Sequence, residues 1–427
     1  MSDYGFMPPS GSPHPDPATR LGGQSRGRAC RPTMATMKVI GLMSGTSADG
    51  VDAALVEWPQ EGAARPFELL GFQEIGNGEL QERIHRLAAG AVPAEHALAE
   101  LAALDVELGE LFASAAKAVA SDAGVAMSDV AAIASHGQTV AHHPEQRATL
   151  QIGDPSVIAE RTGCTVVADF RARDLAAGGE GAPLAPFFHW QVMADPAESR
   201  GIVNLGGIAN LTWIPKAAQS ADVLAFDVGP ANALIDEVVR VFSGGRERMD
   251  RDGARARRGR VDARLLEKLL SDEYLKRRPP KSTGRERYGR AEGEALALEW
   301  QSAGRSEDDL VATLATFTVE IVATACRELL VDGEAAPRID RLLVGGGGAA
   351  NPFLMEGLAR ALPDTFVRAF GSVGVPAAGA EAMAFSLMGR NALLGIPNHL
   401  PRCTGAAREL VLGEIVPAKG ARLSDSN

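Results

Sequence analysis

The stretch Met43-Ser44-Gly45-Thr46-Ser47-Ala48-Asp49-Gly50-Val51-Asp52 lies between two short apolar runs rich in β-branched residues. Gly45 and Gly50 let a backbone come close to a ligand, Ser44, Thr46 and Ser47 offer donors to phosphate oxygens, and Asp49 or Asp52 can hold magnesium. The stretch reads as a β-hairpin whose loop cradles a nucleotide phosphate, with an ordinary tight hairpin as the competing reading. It is not a Walker loop, since no lysine follows the glycines, nor a dinucleotide fingerprint, since a strand rather than a helix comes next. In Asp169-Phe170-Arg171-Ala172-Arg173-Asp174, carboxylates and arginines follow a strand directly, where α/β proteins present reactive groups. Taken alone, a strand-end aspartate such as Asp174 more often caps a turn or helix. His136-Gly137-Gln138-Thr139 also ends a strand, and its histidine is either structural or turned toward a substrate. Asp227 and Asn232 sit between a strand and a helix, within reach of substrate or metal.

These residues need elements to hold them. Strands are expected at 38–44, 50–57 and 67–75 and helices at 79–89 and 94–122, the second with Leu98, Leu101, Leu108 and Leu111 on or near one stripe. Strands around 130–135 and 164–169 flank a helix at 155–162. The second half repeats the plan: strand, Gly206-Gly207 turn, strand across 201–214, a third strand at 223–227, helices at 230–242, 261–270 and 309–330, then a strand at 341–344 running into Gly345-Gly346-Gly347-Gly348. A C-terminal helix is expected at 377–394. Such alternation implies mixed sheets with helices on their faces. The expectation is two similar α/β domains facing across a cleft, 37–199 and 200–427, the last helix returning to the first, after a disordered Pro/Gly/Ser/Arg-rich extension over 1–36.

At 427 residues and 45% hydrophobic, the chain can bury a large core. A formal charge of -11 and the absence of a long basic run argue against a nucleic-acid surface. The four cysteines, Cys30, Cys164, Cys326 and Cys403, have no metal-ligand spacing and suit a reducing compartment. No uncharged apolar run of membrane-spanning length and no secretory signal is read, so the expectation is a cytoplasmic protein.

Several blocks then occur in order: the first hairpin, His136-Gly137-Gln138-Thr139, Gln151-Ile152-Gly153-Asp154, the Asp169 to Asp174 segment, Gly181-Ala182-Pro183-Leu184, Asn204-Leu205-Gly206-Gly207-Ile208-Ala209-Asn210, Pro280-Lys281-Ser282-Thr283-Gly284-Arg285-Glu286, and the four glycines with Asn351-Pro352. On these, the chain from Lys38 to about Pro417 resembles the anhydro-N-acetylmuramic acid kinases of the actin, Hsp70 and sugar-kinase superfamily. The resemblance implies two actin-like (ribonuclease H-like) domains, a cytoplasmic homodimer, and ATP with Mg2+. It also implies phosphorylation of 1,6-anhydro-N-acetylmuramic acid with water opening the anhydro bridge, a step of cell-wall recycling. It makes Asp174 the general base and the 45–52 loop the first phosphate hairpin, with Gly45, Thr46, Ser47, Ala48, Asp49, Gly50, Val51 and Asp52 near nucleotide and Asp49 favoured for the metal. Asn204, Gly206, Gly207 and Asn210 become the second phosphate hairpin, and Gly345, Gly346 and Gly347 the adenosine turn. His136, Gln138, Arg171, Arg173, Asp227 and Asn232 face the amino sugar, with Arg171 or Arg173 for its lactyl carboxylate. Val228 and Ala231 depart from the family's usual Asp-Thr-Gly-Pro-Gly-Asn pattern, and Glu381 matches a family glutamate of open role.

Overall fold

The computed structural model describes residues 35–45, 47–279, 281–284, 287–328, 330, 331, 334, 335, 338–377 and 379–418. The expected extension as far as residue 34, Cys30, Thr46, and Pro280, Arg285 and Glu286 lie outside the described residues.

The first sheet is built from β1 (Thr36–Ser44), β2 (Gly50–Pro59), β3 (Glu68–Gly76), β4 (Val130–His143), β5 (Ala148–Ile152) and β6 (Val166–Ala168). The second holds β7 (Arg200–Leu205), β8 (Ile208–Ile214) and β9 (Leu224–Pro230); a small hairpin, β10 (Leu330–Val331) with β11 (Glu334–Ala335), precedes its last strands, β12 (Arg341–Gly345) and β13 (Phe366–Ala369). A final strand, β14 (Glu414–Val416), pairs antiparallel with β6. Strand order is β14-β6-β4-β1-β2-β3 in the first sheet and β13-β12-β7-β8-β9 in the second. In each, three successive antiparallel strands are followed by two parallel ones added on the side of the first strand. The two sheets therefore share one ribonuclease H-like topology.

β1 begins at Thr36, inside the stretch expected to be an extension. Met37 packs against the core and the Gln60 amide donates to Ala35 O at 2.7 Å, which carries the strand to its edge. Helix Ala94–Asp122 covers the first sheet through Leu104, Leu108 and Phe112, while Leu98, expected on the apolar stripe, is 79% exposed. Helix Glu307–Arg327 has the length and composition of a membrane span, yet 72% of its apolar window is buried inside the second core. Helices Ala185–Met193 and Arg290–Ser302 have no counterpart in the sequence reading. The first escapes pattern recognition because it is apolar all round, as befits a helix buried on several sides.

The last long helix, Ala380–Leu393, lies against β1, β2 and β4 and against helix Ala185–Met193. One hydrophobic cluster runs through both helices and joins Val39 and Ala54 of the first sheet to Ile202, Ala225 and Leu343 of the second. A cavity opens beside this cluster.

Candidate active site

A cavity of about 690 Å³ is lined from both sheets. The first contributes Met43, Asp52 and Glu74, the second Asn204, Asn210, Asp227, Gly345, Gly346 and Gly347, and the intervening segments Arg171, Ala182, Pro183, His189, Phe370 and Glu381. This is the juxtaposition a linear sequence cannot display.

The carbonyls of the first hairpin loop are bonded within the protein. Gly45 O accepts from Ala48 N and Gln138 Nε2, Ser47 O from Gln81 Nε2, Ala48 O from Asn77 Nδ2, Asp49 O from the Asn77 amide and Gly50 O from the Ser44 hydroxyl, all within 3.1 Å. These bonds fix the loop, and the Ala48 N–H is spent inside it on Gly45 O. Val51, expected near nucleotide, is fully buried in the core against helix Ala94–Asp122 and offers no side chain to a ligand. Gln138, expected on the sugar, is 1% exposed and braces this loop, its Oε1 lying 2.7 Å from Ser44 Oγ. Asp49 is exposed outside the cavity and accepts from Ser47 Oγ, whereas Asp52 lines the cavity.

In the second hairpin Leu205 pairs with Ala209, so Gly206, Gly207 and Ile208 make the connection, and neither glycine has a left-handed φ, unlike the primed turns of a plain two-residue hairpin. Their carbonyls are likewise captured, Gly206 O by the Asn232 amide and Gly207 O by those of Ala231 and Ala233. Asn232 also donates to Leu205 O at 2.8 Å, so it holds the turn instead of facing the sugar. Gly346 has φ +73 and sits where a Cβ would collide with Asn204 Oδ1, so only glycine lets the turn close against the hairpin. Val228 and Ala231 point into the second core, so their departures from the family pattern alter packing and not the cavity wall. The Lys281, Ser282, Thr283 part of the signature docks on Asp227, whose Oδ2 accepts from Ser282 Oγ and the Thr283 amide at 3.0 Å.

Arg171 and Arg173 diverge. Arg171 faces the cavity, with Nε donating to His136 Nε2 at 2.9 Å and Nη1 to Gly181 O at 2.7 Å. Burial lowers its cation to about 10, with Glu381 and Asp174 opposing that shift, so it stays charged at neutral pH. Arg173 donates to Val411 O and lines a separate depression with Asp169 and Glu414. His136 is 3% exposed and absent from the cavity wall; burial and then Arg171 push its imidazole down to about 3, so it is a neutral support for Arg171, stacked on Phe385 at 4.8 Å. At the apolar end His189, pushed down to about 4 by burial, pairs with Thr212 at 3.1 Å.

Asp174 stands behind the cavity wall, on the short helix Ala172–Ala176, and is 0% exposed. Its Oδ2 accepts from the Gly181 amide and Oδ1 from Thr404 Oγ1, both at 2.7 Å, and His399 Nδ1 is 2.8 Å from Oδ1. Burial, the largest influence, pushes its carboxyl up, but the donors of His399, Thr404 and Gly181 outweigh it and hold the group below its usual range. The sequence reading missed His399, Thr404 and Glu74; only the Asn398-His399-Leu400-Pro401 run, polar residues beside a proline turn, marks the first two locally.

Asp52 and Glu74 are direct cross-strand partners, and like charges so placed repel. Burial, then Glu74, Glu381 and Asp49, raises the Asp52 carboxyl to about 6. An acid raised in the folded state costs stability when ionised, and that cost is relieved as pH falls through about 6. Asp52→Asn is therefore expected to stabilise the free protein by roughly 1 kcal/mol above pH 7, the gain fading between about pH 6 and pH 4. Urea unfolding at pH 7.5 and pH 4.5 checks this; equal gains at both would contradict the electrostatic origin.

Two copies of one ribonuclease H-like topology with a cavity lined from both sheets define an actin-like protein, the class that includes nucleotide-dependent sugar kinases. The anhydro-N-acetylmuramic acid kinase family model matches residues 37–418, and the chain belongs to that family. It is 39% identical over 386 residues to the anhydro-N-acetylmuramic acid kinase of Caldanaerobacter subterraneus subsp. tengcongensis, covering 88% of this chain and 96% of that one. It is 43% identical over 385 residues to that of Xanthomonas campestris pv. campestris, covering 89% and 97%. Among solved structures, a ROK hexokinase from Thermus thermophilus aligns at 16% identity and TM-score 0.34 over 82% of this chain and 98% of that one.

Proposed function

We propose that this protein is an ATP-dependent kinase of 1,6-anhydro-N-acetylmuramic acid that opens the anhydro bridge with water, yielding N-acetylmuramic acid 6-phosphate and ADP. The observation that carries this reading is the single cavity in which Arg171 and Asp52 from one side meet Asn204, Asn210 and the Gly345 to Gly347 turn from the other. The glycine turn is flat enough for adenosine, the two hairpins take the phosphates, and Arg171 takes the lactyl carboxylate by charge-assisted hydrogen bonds.

Chemistry follows the polarity of the two ends. Water attacks C1 and gives its proton to Asp174, the C1–O6 bond breaks, and O6 attacks the γ-phosphate in line. Asp174 is fully buried and absent from the cavity wall, so this step requires water to reach it past residues 181–183. Magnesium suits the oxygen donors Asp52 and Asp49, acting through water, with Glu74 and Glu381 adding negative charge; among the described residues no cluster forms a full protein cage. When bound, the ion neutralises charge on the transferring phosphate. The same reading makes the protein a cytoplasmic homodimer working in peptidoglycan recycling.

Mass spectrometry of product formed from 1,6-anhydro-N-acetylmuramic acid, ATP and magnesium in oxygen-18 water tests the reaction. The expected product carries phosphate at O6 and one heavy oxygen at C1. An unlabelled phosphorylated sugar would point to an ordinary hexose kinase, and sugar-independent ATP hydrolysis to a nucleotide switch.

A further inference from the structure

We propose that His399 is a positioning residue for catalysis: as a neutral, fixed donor it holds the Asp174 carboxylate, and with Thr404 it makes the C-terminal segment 398–412 part of the active-site machinery. The inference rests on the reading of Asp174 as the base.

Asp174, His399 and Thr404 are 0%, 1% and 2% exposed, so their mutual contacts are not diluted by water. The tautomer of His399 follows from its second nitrogen. The Leu410 amide donates to Nε2 at 3.0 Å, which requires a lone pair there and leaves the proton of a neutral imidazole on Nδ1. Nδ1 stands 2.8 Å from Asp174 Oδ1, in charge contact but off the line of a well-formed hydrogen bond, and no other group takes its proton. His399 orients the carboxylate.

The segment is built to hold this donor still. Asn398 donates to Met388 O on helix Ala380–Leu393 and to Leu412 O, both at 2.9 Å, and accepts from the Leu412 amide at 2.7 Å. Toward the other side, the Glu180 amide donates to Thr404 O at 2.7 Å and the Ala407 amide to Ala177 O at 3.0 Å. The segment thus clasps the 174–181 loop while anchored to the helix that borders the cavity. Gly179 closes the remaining side, where a Cβ would collide with Asp174 Oδ2. Two hydrogen bonds and the adjacent His399 Nδ1 converge on one buried carboxylate and favour its ionised state.

His399→Phe removes the donor, so the carboxylate gains proton affinity and the acid limb of the kcat profile moves to higher pH. The expected loss in kcat is about 10- to 100-fold, with KM for ATP within about twofold. Thr404→Val removes a donor with little change of volume and is expected to move the limb in the same direction, which keeps the test usable if His399→Phe folds poorly. His399→Gln retains an N–H and is expected to recover most of the lost kcat. An unmoved acid limb in both donor-deleting variants, with activity falling only in proportion to the folded fraction, would overturn the proposal. Asp174→Asn in the same assay separates the two readings: full turnover there removes the base assignment itself, whereas an inactive Asp174→Asn beside an unmoved limb removes only the role of His399.

Discussion

Asp174→Asn is expected to lower kcat by about 10³- to 10⁴-fold while nucleotide affinity stays within about threefold of the parent. On the proposed reading Asp174 supplies proton transfer in the transition state, for which losses of this size are usual. On the same reading ATP is held by the hairpins and the glycine turn, none of which contacts the Asp174 side chain in the hydrogen bonds described above. The substitution also has a structural cost. An amide cannot satisfy the donors from Thr404, His399 and Gly181 on both of its ends, so one N–H is left facing another at an expense of about 1–3 kcal/mol. Rates are therefore to be normalised to the folded fraction, and isothermal titration with a non-hydrolysable nucleotide supplies the binding arm. A variant that turns over at the parental rate would remove Asp174 from the chemistry.

Arg171→Met carries the second large effect. Arg171 is the cation that the cavity presents beside Asp52, Glu74 and Glu381, and its Nε and Nη1 are already committed to His136 and Gly181. Its remaining guanidinium edge is the part available to a ligand carboxylate. Deleting one partner of such a desolvated charge pair removes several kcal/mol, so kcat/KM for the lactyl-bearing sugar is expected to fall about 10²- to 10³-fold. The same substitution loosens the 181–183 wall, which would slow any substrate. Comparison with the anhydro sugar lacking the lactyl group separates the two contributions: the parent loses much of its rate on that sugar, and Arg171→Met loses little more. Equal losses on both sugars would reassign Arg171 to wall support alone. Arg173→Met, which breaks only the bond to Val411 O, is expected to change the ratio between the two sugars by less than about twofold.

Asp52 shows why stability and site chemistry pull apart here. Its placement opposite Glu74, in a cavity that also holds Glu381, is electrostatically unfavourable to the free protein. A bound cation reverses that sign. Sites that bind charge commonly carry this kind of unrelieved strain, and replacing the residue gains stability at the expense of binding.

Much of the architecture is legible in the chain itself. The alternation around Gly45 to Asp52 and around Asn204 to Asn210 marks both hairpins, because two-fold periodicity and turn glycines are local properties. Helices Ala94–Asp122 and Pro155–Thr162 follow the sequence pattern closely for the same reason. The ordered motifs also identify the family, and Asp174 stands out among them. Helix Ala185–Met193 was hidden because burial on all sides erases the amphipathic stripe on which recognition depends.

What folding alone decided is which polar residues look at a ligand and which look at one another. His136, Gln138 and Asn232 have the residue types of a substrate site, yet in three dimensions they spend their hydrogen bonds on Arg171, the first hairpin loop and the second hairpin turn. Arg171 and Arg173 are two positions apart in sequence and reach different cavities, because Arg171 caps the short helix Ala172–Ala176 and Arg173 lies within it, so their side chains leave on different sides. His399 and Thr404 reach Asp174 only because the chain returns to the first sheet through helix Ala380–Leu393 and β14. Local pattern determines elements and motifs; the partner of each buried polar group depends on contacts between residues far apart in the chain, which no local pattern encodes.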